Sequence, residues 1–153
     1  MKNQIWTSLI VGVLISAGLV FGAGFAFAQF MAKSVSTEDA RLTPTDWQDG
    51  FVASLGYGAA LVALLTVTWL LIAHKGDGLD TKTGIWSAIA AAACLAGALL
   101  AVFVPPHIQQ GPGLQVVVEA ILVLLGYWLA TLFMTPHQYH HTPFLGKLLW
   151  GHR

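Results

Sequence analysis

One acidic side chain stands inside a long apolar stretch: Glu119 lies within Leu114–Met134. On a helix, Glu119 shares a face with Gln115, Gly126 and Ala130, which lie four, seven and eleven positions away. An acid near the middle of a membrane costs about 2.5–3.5 kcal/mol to insert, so such residues usually have a partner or a function. We expect the side chain to point into the helix packing. It is either a proton- or cation-coupling group, or a carboxyl hydrogen-bonded to Gln115 or to a neighbouring helix or subunit.

Three histidines follow the same stretch at helical spacing: His137, His140 and His141. On a short helix their imidazoles would share a face and could bind a divalent metal. The segment from His137 to His141 also resembles one histidine box of the membrane-bound fatty-acid desaturases and hydroxylases. That resemblance implies a di-iron site built from several boxes, but the chain has six histidines and no second box, so we do not assign it to that family. The simpler interpretation is a polar tail at the membrane surface.

The sequence predicts no cofactor. A haem held between two helices would need histidines at matched depth, and only His74 and His137 come near this arrangement. Cys94 is most simply a small buried side chain in an Ala-rich helix. No nucleophile–base pair, phosphate-binding loop or pair of catalytic carboxylates is apparent in the sequence. A metal at the histidine tail and a haem are the alternatives that stay open.

The composition predicts an integral membrane protein. Of 153 residues, 56% are hydrophobic and 9% are charged, whereas soluble domains carry about 25% charged residues. The formal net charge of zero excludes a basic nucleic-acid-binding surface. Apolar stretches separated by prolines, glycines and charges predict one all-α membrane domain, residues 1–153, with four transmembrane helices, short links and an interfacial C-terminal segment. The helices are predicted at about 5–31, 50–74, 84–104 and 114–134, and the tail at 136–153.

The starts of the first two helices carry further signals. The first stretch resembles a secretory signal that ends at Ala26-Phe27-Ala28. Its apolar run of about twenty residues exceeds the ~7–15 expected of such a signal, so we predict a retained helix. Before the second stretch, the order Thr43, Pro44, Asp46 is typical of a helix start that lies outside the membrane.

Basic residues near the helix ends predict the orientation. With four helices, five basic residues share the side of both termini and two lie on the other side, which places both termini in the cytoplasm, most simply of a bacterial inner membrane. The five are Lys2, Lys75, Lys82, Lys147 and Arg153, and the two are Lys33 and Arg41. Five tryptophans near the cytoplasmic end are predicted to form an interfacial belt: Trp6, Trp69, Trp86, Trp128 and Trp150.

Small residues recur at helical spacing on every predicted helix. Small side chains let membrane helices approach closely, so we expect these faces to pack within the bundle; an oligomer interface is the alternative. The faces are Gly18, Gly22 and Ala26; Gly56 and Ala60; Ala93, Gly97 and Ala101; and Gly126 and Ala130.

Three functional hypotheses follow from the sequence. The first is a non-catalytic accessory or structural subunit of a larger membrane complex, whose partners are the lipid bilayer and other membrane subunits or further copies of itself. The second is a small homo-oligomeric transporter or channel that uses Glu119 as its coupling group, with a path between subunits. The third is a membrane protein that binds a metal or cofactor through its C-terminal histidines.

Overall fold

The computed structural model describes residues 2–37, 39–75, 80–109, 111–135 and 143. These residues form four α-helices and no strand, and each helix is long and apolar enough to cross a membrane. The predicted four-helix membrane bundle is therefore confirmed. The predicted tail at 136–153 lies outside the described residues, apart from Pro143. The helices are α1 (Lys2–Met31), α2 (Pro44–Lys75), α3 (Asp80–Phe103) and α4 (Gly113–Met134).

The helix α4 packs against all three of the others. It lies along α1 and α3 and also contacts α2, which itself packs against α1 and α3. The α1–α2 and α3–α4 links meet at one end of the bundle, where the Gln109 N–H donates to the Ser36 carbonyl at 2.8 Å. The first turn of α2 contacts the first turn of α4 there, so these two helices run parallel.

A capping box starts α2 outside the apolar stretch. The Thr43 N–H donates to Asp46 Oδ2 at 2.6 Å, and the Asp46 N–H donates to Thr43 Oγ1 at 3.3 Å. This reciprocal pair satisfies backbone donors that the first turn of a helix leaves free. The helix therefore begins at Pro44, six residues before residue 50, where the apolar stretch begins.

Close backbone contacts hold α4 between α1 and α3. A Cβ atom at Gly126 would lie 2.8 Å from the Ser16 carbonyl oxygen of α1, and one at Gly97 would lie 3.2 Å from Ala120 Cα of α4. At Gly126 a larger residue would force the two backbones apart, and at Gly97 it would make an unusually tight contact. Together with buried Ala93, Ala101 and Ala130, these glycines confirm the predicted packing faces of α3 and α4.

The predicted packing faces of α1 and α2 are wrong. On α1 the buried row is the opposite one, with residues four positions apart: Gly12, Ser16, Val20, Gly24 and Ala28. Gly18, Gly22 and Ala26 are exposed, and a Cβ atom at Gly18, Gly22 or Gly56 would have no neighbour within 4 Å in the described part of the chain. Ala60 is exposed as well. Both faces of α1 carry small residues, and the inward one is the face that fits against α4 and the Leu55 and Leu70 side chains of α2.

The predicted tryptophan belt is wrong for two of its members. Trp69 is 0% exposed and Trp86 is 7% exposed, so both point into the bundle rather than toward a membrane surface. Their indole N–H groups find hydrogen-bond acceptors on α4, which makes burial favourable. Trp6 is 65% exposed, in agreement with the belt, and Trp150 lies outside the described residues.

The contact at Gly126 predicts a large difference between two glycine-to-alanine substitutions. Gly126→Ala places a methyl group against the Ser16 carbonyl, so we expect a loss of about 1–3 kcal/mol from overpacking. Gly18→Ala is the matched control, because its methyl group meets open space and alanine is the better helix former. Reversible unfolding of each variant in detergent measures the difference. Equal stability of the two variants would contradict this packing of α1 on α4.

Candidate functional site: a buried polar row on α4

Six residues of α4 and its C-cap, each four positions from the next, form one fully buried row. Each is at most 2% exposed, and five of the six are polar. Neighbouring residues at this spacing lie one turn apart on nearly the same side of the helix, so the row winds gradually around α4 and stays covered by the other helices. We call it the polar row: Gln115, Glu119, Val123, Tyr127, Thr131 and Thr135.

At the end where the α1–α2 and α3–α4 links meet, Gln115 joins three helices. Its Oε1 atom accepts a hydrogen bond from the Trp47 indole N–H of α2 at 2.8 Å. Its Nε2 atom donates to the Ala101 carbonyl of α3 at 2.9 Å. Trp47 also stacks on Phe51, with ring centroids 5.3 Å apart. Because all these groups are buried, lipid and water do not compete for their hydrogen bonds.

One turn further along α4, the Glu119 carboxyl meets α2. The side chain is 0% exposed, and its Oε2 atom lies 2.7 Å from Ser54 Oγ. Its Oε1 atom is buried and has no hydrogen-bond partner among the described residues. Gly58 lies beside it, since a Cβ atom there would sit 3.4 Å from Oε1. As its helical position predicts, the acid points into the bundle and not toward lipid.

At the other end of the row, two tryptophans bond to two threonines. The Trp86 indole N–H of α3 donates to Thr131 Oγ1 at 2.9 Å, and the Trp69 indole N–H of α2 donates to Thr135 Oγ1 at 3.0 Å. The Thr135 hydroxyl in turn contacts the Thr131 carbonyl. Between these contacts and Glu119, the Tyr127 ring stacks on Trp86 with ring centroids 5.6 Å apart.

An apolar layer separates Glu119 from the threonine end. Val20 of α1, Val62 of α2 and Val123 of α4 are each 0% exposed. Beyond this layer on α2, the Thr66 hydroxyl is buried and has no hydrogen-bond partner among the described residues. Glu119 lies six residues into α4, which corresponds to about 9 Å from the helix start at ~1.5 Å per residue. The carboxyl is therefore nearer the end where α2 and α4 begin.

Most residues of this site were missed by sequence reasoning. Gln115 and Glu119 are buried on the same row, but Gln115 bonds to Trp47 and Ala101, while Glu119 meets Ser54 of a neighbouring helix. The signal that could have found the rest of the row is the recurrence of polar residues every four positions along α4. The missed members and partners are Trp47, Ser54, Trp69, Trp86, Tyr127, Thr131 and Thr135.

The predicted metal ligands stay untested. His137, His140 and His141 lie outside the described residues, and within the described ranges no group of three or more His, Cys, Asp or Glu side chains could hold a metal ion. His74, which the haem alternative invokes, has its Nδ1 atom 2.7 Å from the Leu70 carbonyl. Cys94 is half-buried.

Comparison of the chain with protein-family models, with curated proteins and with solved structures finds no match.

The contact between Trp47 and Gln115 predicts a measurable coupling energy. In a double-mutant cycle with Trp47→Phe and Gln115→Leu, we expect the two losses of unfolding free energy to be non-additive. Hydrogen bonds between membrane helices couple by about 0.6 kcal/mol on average and up to about 1.7 kcal/mol, and this one is fully buried. Pairing Trp6→Phe with Gln115→Leu is the control, because Trp6 is exposed. Additive losses in the Trp47 cycle would show that the bond does not hold α2 against α4.

Proposed function

We propose that the chain is a non-catalytic accessory subunit of a larger membrane protein complex, and that it docks onto other transmembrane helices through the outer face of α1. The observation that carries this proposal is the row Gly18, Gly22 and Ala26, which we call the outer stripe. No described residue lies within 4 Å of a Cβ atom built at either glycine. The stripe is therefore a shallow groove on the outside of the bundle.

The surroundings of the outer stripe support docking of another helix. Phe21 and Phe25 flank it and stack with ring centroids 6.3 Å apart. They are 44% and 42% exposed. Between membrane helices, close backbone approach and dispersion contacts supply the attraction, because lipid removes most of the hydrophobic driving force. A groove of small residues beside two stacked aromatic rings provides both.

The use of the polar groups also favours a structural role. Gln115 is hydrogen-bonded within the bundle through both of its side-chain ends, and Thr131 and Thr135 each accept an indole N–H. These side chains form hydrogen bonds that connect one helix to another. Hydrogen bonds between helices fix the helices relative to one another, and so fix the outer surface of the bundle. A subunit that docks onto other helices requires such a fixed surface.

The position of Glu119 bears on the transporter alternative. The acid lies between α2 and α4 of one chain and is 0% exposed. A transport path that used this carboxyl would therefore run between the helices of a single chain and not, as the sequence suggested, along an interface between subunits. The metal-binding alternative depends on residues outside the described part of the chain.

We also propose a bacterial inner membrane location with both termini in the cytoplasm. The support is the excess of basic residues on the side of the chain termini, five against two, together with a bundle in which the α1–α2 and α3–α4 links share the other end.

Docking through the outer stripe predicts that two leucines abolish partner binding without unfolding the chain. We expect Gly18→Leu combined with Gly22→Leu to fill the groove and to remove co-purifying chains of fixed stoichiometry, as measured by native mass spectrometry after mild detergent extraction at native expression. Ala92→Leu, at an exposed small residue of α3, is the matched control and should retain them. Retention of partners by the double variant, or a wild-type chain that carries no partner, would contradict the proposal.

A further inference from the structure

The hydroxyl of Ser54 lies between two oxygen atoms at equal distance. Ser54 Oγ is 2.7 Å from the Phe51 carbonyl oxygen and 2.7 Å from Glu119 Oε2. A hydroxyl carries one hydrogen, and both a carbonyl and a carboxylate only accept. If Glu119 were ionised, one of these two short contacts would therefore contain no hydrogen.

A proton on Glu119 resolves this conflict. With the proton on Oε2, the carboxyl donates to Ser54 Oγ, and the Ser54 hydroxyl donates to the Phe51 carbonyl. Each 2.7 Å contact then contains one hydrogen. The second oxygen, Oε1, becomes the carbonyl oxygen of a neutral acid. Leaving a neutral carbonyl without a partner is far less costly than leaving a charged oxygen unpaired in an apolar interior.

No described cationic side chain faces the Glu119 carboxyl from any of the four helices. The part of α1 that enters the bundle, from Asn3 to Met31, has no ionisable side chain. On α2, Asp46 and Asp49 are exposed in the first two turns, Tyr57 is 62% exposed on the outer face, and His74 and Lys75 lie at the far end.

In the links, Lys33, Asp39, Arg41 and His107 are exposed, and the remaining described titratable side chains lie on α3 and α4. On α3, Lys82 is at the far end of the bundle, and half-buried Cys94 lies one turn from Gly97, the residue that meets the backbone of α4. On α4, Tyr127 lies two turns beyond the carboxyl, with its hydroxyl 3.5 Å from the Trp86 carbonyl. None of the described side chains therefore supplies a positive charge to the carboxyl, and a proton is the ligand that the hydrogen-bond geometry accommodates.

We infer that Glu119 is a proton-binding site inside the membrane, with the Ser54 hydroxyl as its direct hydrogen-bond partner and the Phe51 carbonyl as the acceptor for Ser54. In the protonated state the hydrogen bonds run from Glu119 to Ser54 to Phe51. When the proton leaves, the carboxylate accepts the Ser54 hydroxyl, and the Phe51 carbonyl keeps only its backbone partner. This inference concerns the interior of the bundle and is independent of the docking proposal for α1.

Infrared spectroscopy of the full chain in lipid bilayers at neutral pH tests this inference. We expect the carbonyl stretch of a protonated carboxylic acid in the wild-type protein and its loss in Glu119→Gln. Ser54→Ala should shift the band to higher frequency, because the carboxyl loses its acceptor, and Ser54→Thr should restore it. Asp49→Asn is the control: it removes an exposed acid and should leave the band unchanged.

Two further measurements on the wild-type chain test the inference even if Glu119→Gln does not fold. Incorporation of ¹³C-labelled glutamate into the wild-type chain should shift the band to lower frequency, and the chain has only two glutamates, Glu38 and Glu119. Addition of Na⁺ at constant pH should leave the band in place. A spectrum with carboxylate bands alone, a band unaffected by labelled glutamate, or loss of the band on Na⁺ addition would overturn the inference; the last result would assign a sodium site instead.

Discussion

The hydrocarbon core of a membrane offers no hydrogen-bond partners, and this constraint determines the arrangement of the bundle. α4 and its C-cap carry five buried polar residues in one row, each of which must find its partner on another helix or on its own backbone. The partners come chiefly from α2 and α3, through the indole groups of Trp47 and Trp86 and the hydroxyl group of Ser54. α4 is therefore the central helix, and the rotation of α2 and α3 about their axes follows from where those groups must point.

The number and approximate limits of the helices could be predicted because they depend on composition and on local signals. Apolar runs of sufficient length predict spans, and the Thr43–Asp46 pair predicts a helix start that lies outside the apolar run. The inward direction of Glu119 was also predictable, since it shares a helical face with Gly126 and a charged or acidic group avoids lipid.

The rotation of α1 could not be predicted in the same way. Its two opposite faces both carry small residues four positions apart, one with Gly12 and Gly24 and the other with Gly18 and Gly22. The sequence of α1 alone does not distinguish them. Which face of α1 turns inward depends on its fit against α4, where the Ser16 carbonyl packs closely against Gly126. Tryptophans near helix ends pose a similar ambiguity, because a polar acceptor on a neighbouring helix converts an interfacial residue such as Trp69 into a buried one.

The polar groups lie in the interior of the bundle, and the surface proposed for docking lies on its outside. The most direct test of the central claim, that the polar groups of α4 are paired inside one chain, is solid-state NMR in lipid bilayers on protein labelled with ¹³C at glutamate and serine. With Glu38→Gln, Glu119 is the one remaining glutamate. Because Ser54 Oγ lies 2.7 Å from Glu119 Oε2, we expect a short-range correlation between the Glu119 carboxyl carbon and a serine Cβ, and we expect it to disappear in Ser54→Ala. Correlations of this carboxyl with lipid acyl chains, or with serine only between differently labelled chains, would contradict it.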